Sequence, residues 1–110
     1  MSKTTRDLAQ ERLSAAVQAR RFFPRGGYEG LDATGLQVLL VLSLEPDRSV
    51  GEIADQLLLT HSSTSHALSL LSERGLVERV SDPTDGRAQR NRLTGPGRAL
   101  LERYLQRPTE

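Results

Sequence analysis

The stretch Thr60–Gly97, THSSTSHALSLLSERGLVERVSDPTDGRAQRNRLTGPG, changes its hydrophobic period twice. Thr60 opens it as a helix N-cap. Behind it Thr64, Ala67, Leu68 and Leu71 recur three and four residues apart, which places them on one face of a helix running to about Arg74. Gly75 suits the left-handed residue that ends such a helix. Leu76–Val80 and Gln89–Leu93 then read as strands, joined through the turn Pro83–Arg87 as a β-hairpin. Thr94 caps a last helix, roughly 96–107, with Leu100, Leu101, Tyr104 and Leu105 apolar and Pro108 as its stop.

Upstream, Asp32 caps a helix expected over 33–45. Its run LQVLLVLSL is apolar on nearly every side yet too short to span a bilayer, so it reads as a central buried helix. Glu45-Pro46-Asp47 ends it. Ser49-Val50-Gly51-Glu52 has capping-box spacing and opens a short helix with Ile53, Ala54 and Leu57 on one face. At the start of the chain, Thr4 and Asp7 begin a helix that carries Leu8, Leu13, Ala16, Val17 and Phe23 up to Pro24. The turn-like PRGGYEG follows. Two helices joined by a short turn, then a hairpin, make a winged helix-turn-helix. The fold class is therefore α+β, mainly α, with flanking terminal helices. The expected organisation is an N-terminal helix and turn over 1–30, the winged unit over 31–95 and a short C-terminal helix over 96–110.

Composition narrows the function. The 110 residues are 36% apolar, with no Trp and four Phe or Tyr, so Leu, Val, Ile and Ala must build the core of a single domain. Without cysteine there are no disulfides and no thiolate metal sites. His61 and His66 stand about 140° apart on a helix and do not share a metal. The serines near 62–65 have no base to activate them, and Gly26-Gly27 lacks the rest of a phosphate loop. No enzyme, metal or cofactor is expected. With neither a signal peptide nor a transmembrane run, the expected location is the cytoplasm, away from membranes.

Charge points to a partner. The net charge of +1 divides into +4 over residues 1–27, −6 over 28–73 and +3 over 74–110. Arg87, Arg90, Arg92 and Arg98 follow one another with no carboxylate between them, the footprint of an anion-binding surface. The exposed face of the 61–74 helix collects Ser62, Ser63, Ser65, His66 and Ser69, next to the capping Thr60, and carries no carboxylate before Glu73. A helix that enters the major groove needs such a face, with hydrogen-bonding groups for base edges and no negative charge toward phosphate. Arg79, Arg90 and Arg92 are candidate phosphate contacts.

In Leu31–Tyr104 the sequence resembles the MarR (multiple-antibiotic-resistance regulator) family. The resemblance is carried by LDATGLQVLLVLS, SVGEIADQL and SSTSHALSLLSERGLVERV, then by DPTDGRAQRNRLTGPG. Within these lie Gly75-Leu76-Val77-Glu78-Arg79, Asp85-Gly86-Arg87 and Leu93-Thr94-Gly95-Pro96-Gly97, in the family's order and spacing. The resemblance implies a transcription regulator of double-stranded DNA, a homodimeric repressor at a pseudo-palindromic operator. Helix 61–74 would lie in the major groove and the wing 81–93 in the minor groove. It further implies that Arg87 enters the minor groove while Asp85 orients its guanidinium, a role that suits arginine in a narrow, electronegative groove. The alternative is a winged-helix module that binds protein without specific DNA recognition.

Two departures from the family pattern set further expectations. Gln89 and Asn91 replace apolar residues on the returning strand, so a more polar or less firmly packed hairpin is expected. The chain also ends soon after the first helix beyond the wing, which leaves the family's pocket for small aromatic effectors incomplete. Leu8, Leu13, Val17 and Phe23 of the first helix and Leu100, Leu101, Tyr104 and Leu105 of the last would together make a large exposed apolar patch, so they are expected both to pack on each other within one chain and to build a two-fold interface.

Overall fold

The computed structural model describes residues 4–11, 27–81, 84 and 89–106. Its helices are α1 (residues 5–11), α2 (Ala33–Leu44), α3 (Val50–Leu57), α4 (His61–Glu73) and α5 (Gly95–Gln106). Strands β1 (Val77–Ser81) and β2 (Gln89–Leu93) stand between α4 and α5. They pair antiparallel with Val77 opposite Leu93 and Ser81 opposite Gln89. This is a winged helix-turn-helix, mainly helical, with a helix at each end.

The starts of the helices follow from short polar side chains. Asp32 accepts from the Gly35 N–H at 2.9 Å, and Thr60 from the Ser63 N–H at 3.0 Å. Ser49 and Glu52 exchange both bonds of a capping box. Thr4 and Asp7 make the same reciprocal pair at the head of α1. Thr94 accepts from Gly97 at 3.1 Å and donates to the Gly75 carbonyl at 2.5 Å. That second bond ties the start of α5 to the end of α4.

The link from α4 into the wing is a Schellman turn. Gly75 has φ +73°, its N–H reaches the Ser72 carbonyl, and Leu76 N–H reaches the Leu71 carbonyl at 2.9 Å. Leu76 is thereby spent on the cap, and the strand starts one residue later than its apolar pattern suggests. Gly97 lies against this turn, and a Cβ there would overlap the Leu76 carbonyl.

α2 is the axis of the core. Every residue from Gly35 to Leu42 is buried, and the helix packs on α4, α5 and β2. The core is one continuous cluster from Ala9 to Leu105. Leu100, Leu101, Tyr104 and Leu105 belong to it, each no more than 3% exposed. Of the two burials expected for these side chains, within the chain and against a second copy, the first is observed: they are taken up by the chain's own core. The reason is geometric: Thr94 and Gly97 bring α5 close enough to lay its apolar stripe along α2. From α1, Ala9 is buried in the same cluster and Leu8 packs partly buried against it. Leu13, Val17 and Phe23 lie outside the described residues. Among the described residues no helix is long and apolar enough to cross a membrane.

The wing is polar inside, as expected, but firmly held. Asn91 is fully buried, and both its backbone N–H and its side-chain amide donate to the Arg48 carbonyl at 2.9 Å. Arg48 thus bridges to the outer edge of β2 as a single-residue third strand. Gln89 is exposed.

Candidate nucleic-acid interface

The face of α4 is fixed by what lies beneath it. Thr64, Ala67, Leu68 and Leu71 are buried against α2 and α3. Thr64 is fully buried, and its hydroxyl returns to the Thr60 carbonyl at 2.9 Å. The opposite side carries His61, Ser62, Ser63, His66 and Ser69, all exposed, with Ser65 half-buried among them. Thr60 is exposed at the head of the helix. The face therefore offers hydroxyl and imidazole groups and no carboxylate until Glu73. Among the described residues, no three His, Asp or Glu side chains come together as a metal site.

Arg79 joins this face from the wing. One guanidinium nitrogen donates to the Ser69 hydroxyl at 3.2 Å and lies 3.4 Å from the Ser65 carbonyl. Its Nε is buried with no partner. The side chain is a strap from β1 across the outer surface of α4, and it fixes the angle between helix and wing. The Gly75 turn explains the contact, because a chain that folds back there runs alongside the helix it has just left. Neither Ser65 nor Ser69 signals this partner by its spacing in the sequence.

Arg90 and Arg92, though partly exposed, are each paired with a carboxylate. Arg90 Nη1 lies 2.6 Å from Glu52 Oε1 and 3.3 Å from the Asp47 carbonyl. Arg92 Nη2 lies 2.7 Å from Asp47 Oδ1. Arg48 pairs with Glu45 and, at 3.0 Å, with Glu52. Three carboxylates of the α2–α3 connection and the start of α3 thus hold three guanidiniums at the base of the wing. Glu52 is held ionised below the ordinary carboxylate range, first by the Ser49 backbone N–H and then by its serine and arginine neighbours. The sequence showed these arginines as a basic run, because their acidic partners lie some forty positions earlier. Asp85 and Arg87 fall outside the described residues.

Beside this face, and sharing Ser63 and His66 with it, a cavity of about 380 Å³ opens between α4 and the start of α2. Leu31, Gly35, Ala67 and Leu70 line its apolar part, with His66 and Arg74 among its polar residues. Nothing in the spacing of the sequence marked it.

A sequence profile of the MarR family matches residues 29–88, more than half of the chain. The chain belongs to the MarR family. Over 76 residues it is 32% identical to YsmB of Bacillus subtilis (strain 168), an uncharacterized HTH-type transcriptional regulator. That match covers 69% of this chain and 50% of YsmB, so the chain spans about half the length of this curated relative. Among solved structures, Bordetella bronchiseptica BpsR, whose DNA binding is regulated by 6-hydroxynicotinic acid, aligns with a TM-score of 0.69 at 26% identity. The alignment covers 88% of this chain and 66% of BpsR. The PcaV transcriptional regulator of Streptomyces coelicolor, in complex with its natural ligand, aligns with a TM-score of 0.67 at 28% identity. There 94% of this chain and 74% of PcaV are covered. MarR-family relatives are transcriptional regulators, not enzymes. The MarR fold of this chain agrees with the reading of a sequence that carries no catalytic constellation.

Proposed function

We propose that this MarR-family chain is a sequence-specific regulator of transcription that binds double-stranded DNA as a homodimeric repressor. In this reading α4 enters the major groove, with Ser62, Ser63, Ser65, His66 and Ser69 toward base edges and Thr60 at its head. The wing reaches the adjacent minor groove with Arg87, oriented by Asp85. The observation that carries the reading is the outer face of α4, which is hydroxyl-rich, free of carboxylate and strapped to the wing by Arg79. One winged helix reads only a few base pairs, so selectivity calls for two related by a dyad on a pseudo-palindromic site. With the apolar face of α5 used inside the chain, the dimer contact falls to the N-terminal residues Leu8, Leu13, Val17 and Phe23. The effector class that the family resemblance implies is a small aromatic molecule.

The test is selection of bound sequences from a random duplex library, followed by titration of variants on the selected site and on mixed-sequence DNA. His66→Ala is expected to change the preference among site variants, because base-edge contacts carry sequence information. Arg87→Ala is expected to weaken binding by about 1–3 kcal/mol while leaving the fold intact. Failure to enrich any sequence, with affinity for duplex DNA absent at low salt, would refute the reading.

A further inference from the structure

We propose that Asp47 and Glu52 set the DNA selectivity of this chain by withholding Arg90 and Arg92 from phosphate. The inference rests on the DNA-binding reading above and adds to it a class of residue that touches no DNA. The four side chains stand between about a third and a half exposed at the base of the wing. Each guanidinium already has a carboxylate, Arg90 at 2.6 Å from Glu52 and Arg92 at 2.7 Å from Asp47. Glu45 and Arg48 extend the network, so neither carboxylate stands alone.

Exposed ion pairs of this kind contribute little to stability. Their larger consequence is for charge. Non-specific affinity comes from cations that displace condensed counterions from DNA, about 0.9 of an ion per phosphate neutralised. An arginine held by a carboxylate must first give up that partner, and the carboxylate then faces the phosphate uncompensated. The pair therefore adds little to binding at random sequence. Affinity is left to depend on α4, Arg79 and the tip of the wing. Local geometry favours the same view of Asp47, which holds a left-handed φ of +61° and so presents its carboxylate and its carbonyl to the two arginines together.

Two amide substitutions test this without disturbing the backbone. Gln in place of Glu52 still accepts from the Ser49 N–H and keeps the capping box. Asn in place of Asp47 tolerates the left-handed conformation. Binding to a mixed-sequence duplex is measured by fluorescence anisotropy across a salt series for wild type, Asp47→Asn, Glu52→Gln and the double variant. Glu102→Gln, on the exposed side of α5, controls for the same change in net charge. The expected result is a severalfold gain in non-specific affinity and a salt slope steeper by about 0.9 for each arginine released. Arg90→Gln or Arg92→Gln should leave the slope nearly unchanged in the wild-type background and, in the double variant, remove the share of the gain that belongs to the arginine replaced. A slope that does not exceed that of Glu102→Gln, or a full unit lost when either arginine is replaced in the wild-type chain, overturns the proposal. Wild type without any salt-dependent affinity overturns the DNA reading itself and this proposal with it. The wild-type titration thus separates the two failures.

Discussion

At Leu58 the backbone sits at φ 57° and ψ 42°, the left-handed conformation that normally goes to glycine. Its N–H and that of Leu59 close the end of α3 on the Asp55 and Ala54 carbonyls, so the turn of the helix-turn-helix requires this geometry. The side chain is 73% exposed and is not part of the core. Leu58→Gly is therefore expected to stabilise the fold by about 1 kcal/mol, seen as a raised midpoint in urea at unchanged slope. A second residue-scale expectation concerns acid. The Glu52 carboxyl lies below its ordinary value of 4.5, chiefly through the Ser49 N–H. A depressed carboxyl contributes stability above its unfolded pKa and loses it as pH falls through the folded one. The stability gap between wild type and Glu52→Gln should thus be constant near neutrality and close as pH falls below about 4.5. A gap that is flat down to the lowest folded pH would mean that Glu52 acts only through its shape. The capping residues Asp32, Ser49, Thr60 and Thr94 were legible in the sequence because their partners lie three residues away. The strap of Arg79, ten residues from Ser69 and across a turn, was not.

Among the elements, α4 leans on its N-cap, since His61 to Ser63 are exposed and the Ser63 N–H is satisfied by the Thr60 hydroxyl at 3.0 Å. Thr60→Ala is expected to cost about 1 kcal/mol of stability. Under the proposed function it should also reduce DNA affinity, because the first turn of α4 frays; thermal melting and anisotropy on the same sample check both. The helices were readable from apolar spacing and caps; the ends of α2, α4 and α5 differ from those expected by a residue at most, and the expected end of the first helix near Pro24 lies outside the described residues. Those small shifts have causes. Glu45 turns extended at φ −137° and leaves α2, and Leu76 closes the Schellman turn and leaves β1. The returning strand was read at its observed bounds, Gln89–Leu93, but what anchors it was not legible. Asn91 is held by a carbonyl 43 positions earlier, and no local pattern encodes such a partner.

At the scale of the whole molecule, the two ends of the chain meet the same core. Arg103 grips Glu29 with two nitrogens at 3.0 Å, and Tyr28 stands edge-on to Tyr104 at 5.4 Å, so α5 is bound to the turn that precedes α2. Arg6 donates to the Leu44 carbonyl at the end of α2 from the other side. This changes the meaning of an obvious experiment. Leu101 is 1% exposed, so Leu101→Glu is expected to unfold the chain and not to separate two folded copies. Val17→Glu is the substitution that should convert a dimer to a folded monomer, read by sedimentation equilibrium together with circular dichroism. A Val17→Glu dimer of unchanged affinity would remove the N-terminal helix from the interface. Terminal helices were visible in the sequence as apolar stripes. Spacing alone does not tell whether such a stripe faces its own chain or a second copy, because both burials remove the same side chains from water.

The outer edge of β2 has one further consequence. An uncovered strand offers a row of free amides and carbonyls on which another chain can build, and long apolar edges seed cross-β stacking. Here Arg48 occupies the middle of that edge through Asn91, and Arg90 and Arg92 flank it with charge. The same three residues that organise the base of the wing interrupt the template for growth of a fibril. At high concentration this hairpin should stay free of thioflavin-positive aggregate, and loss of Asn91 should be the change that first exposes it.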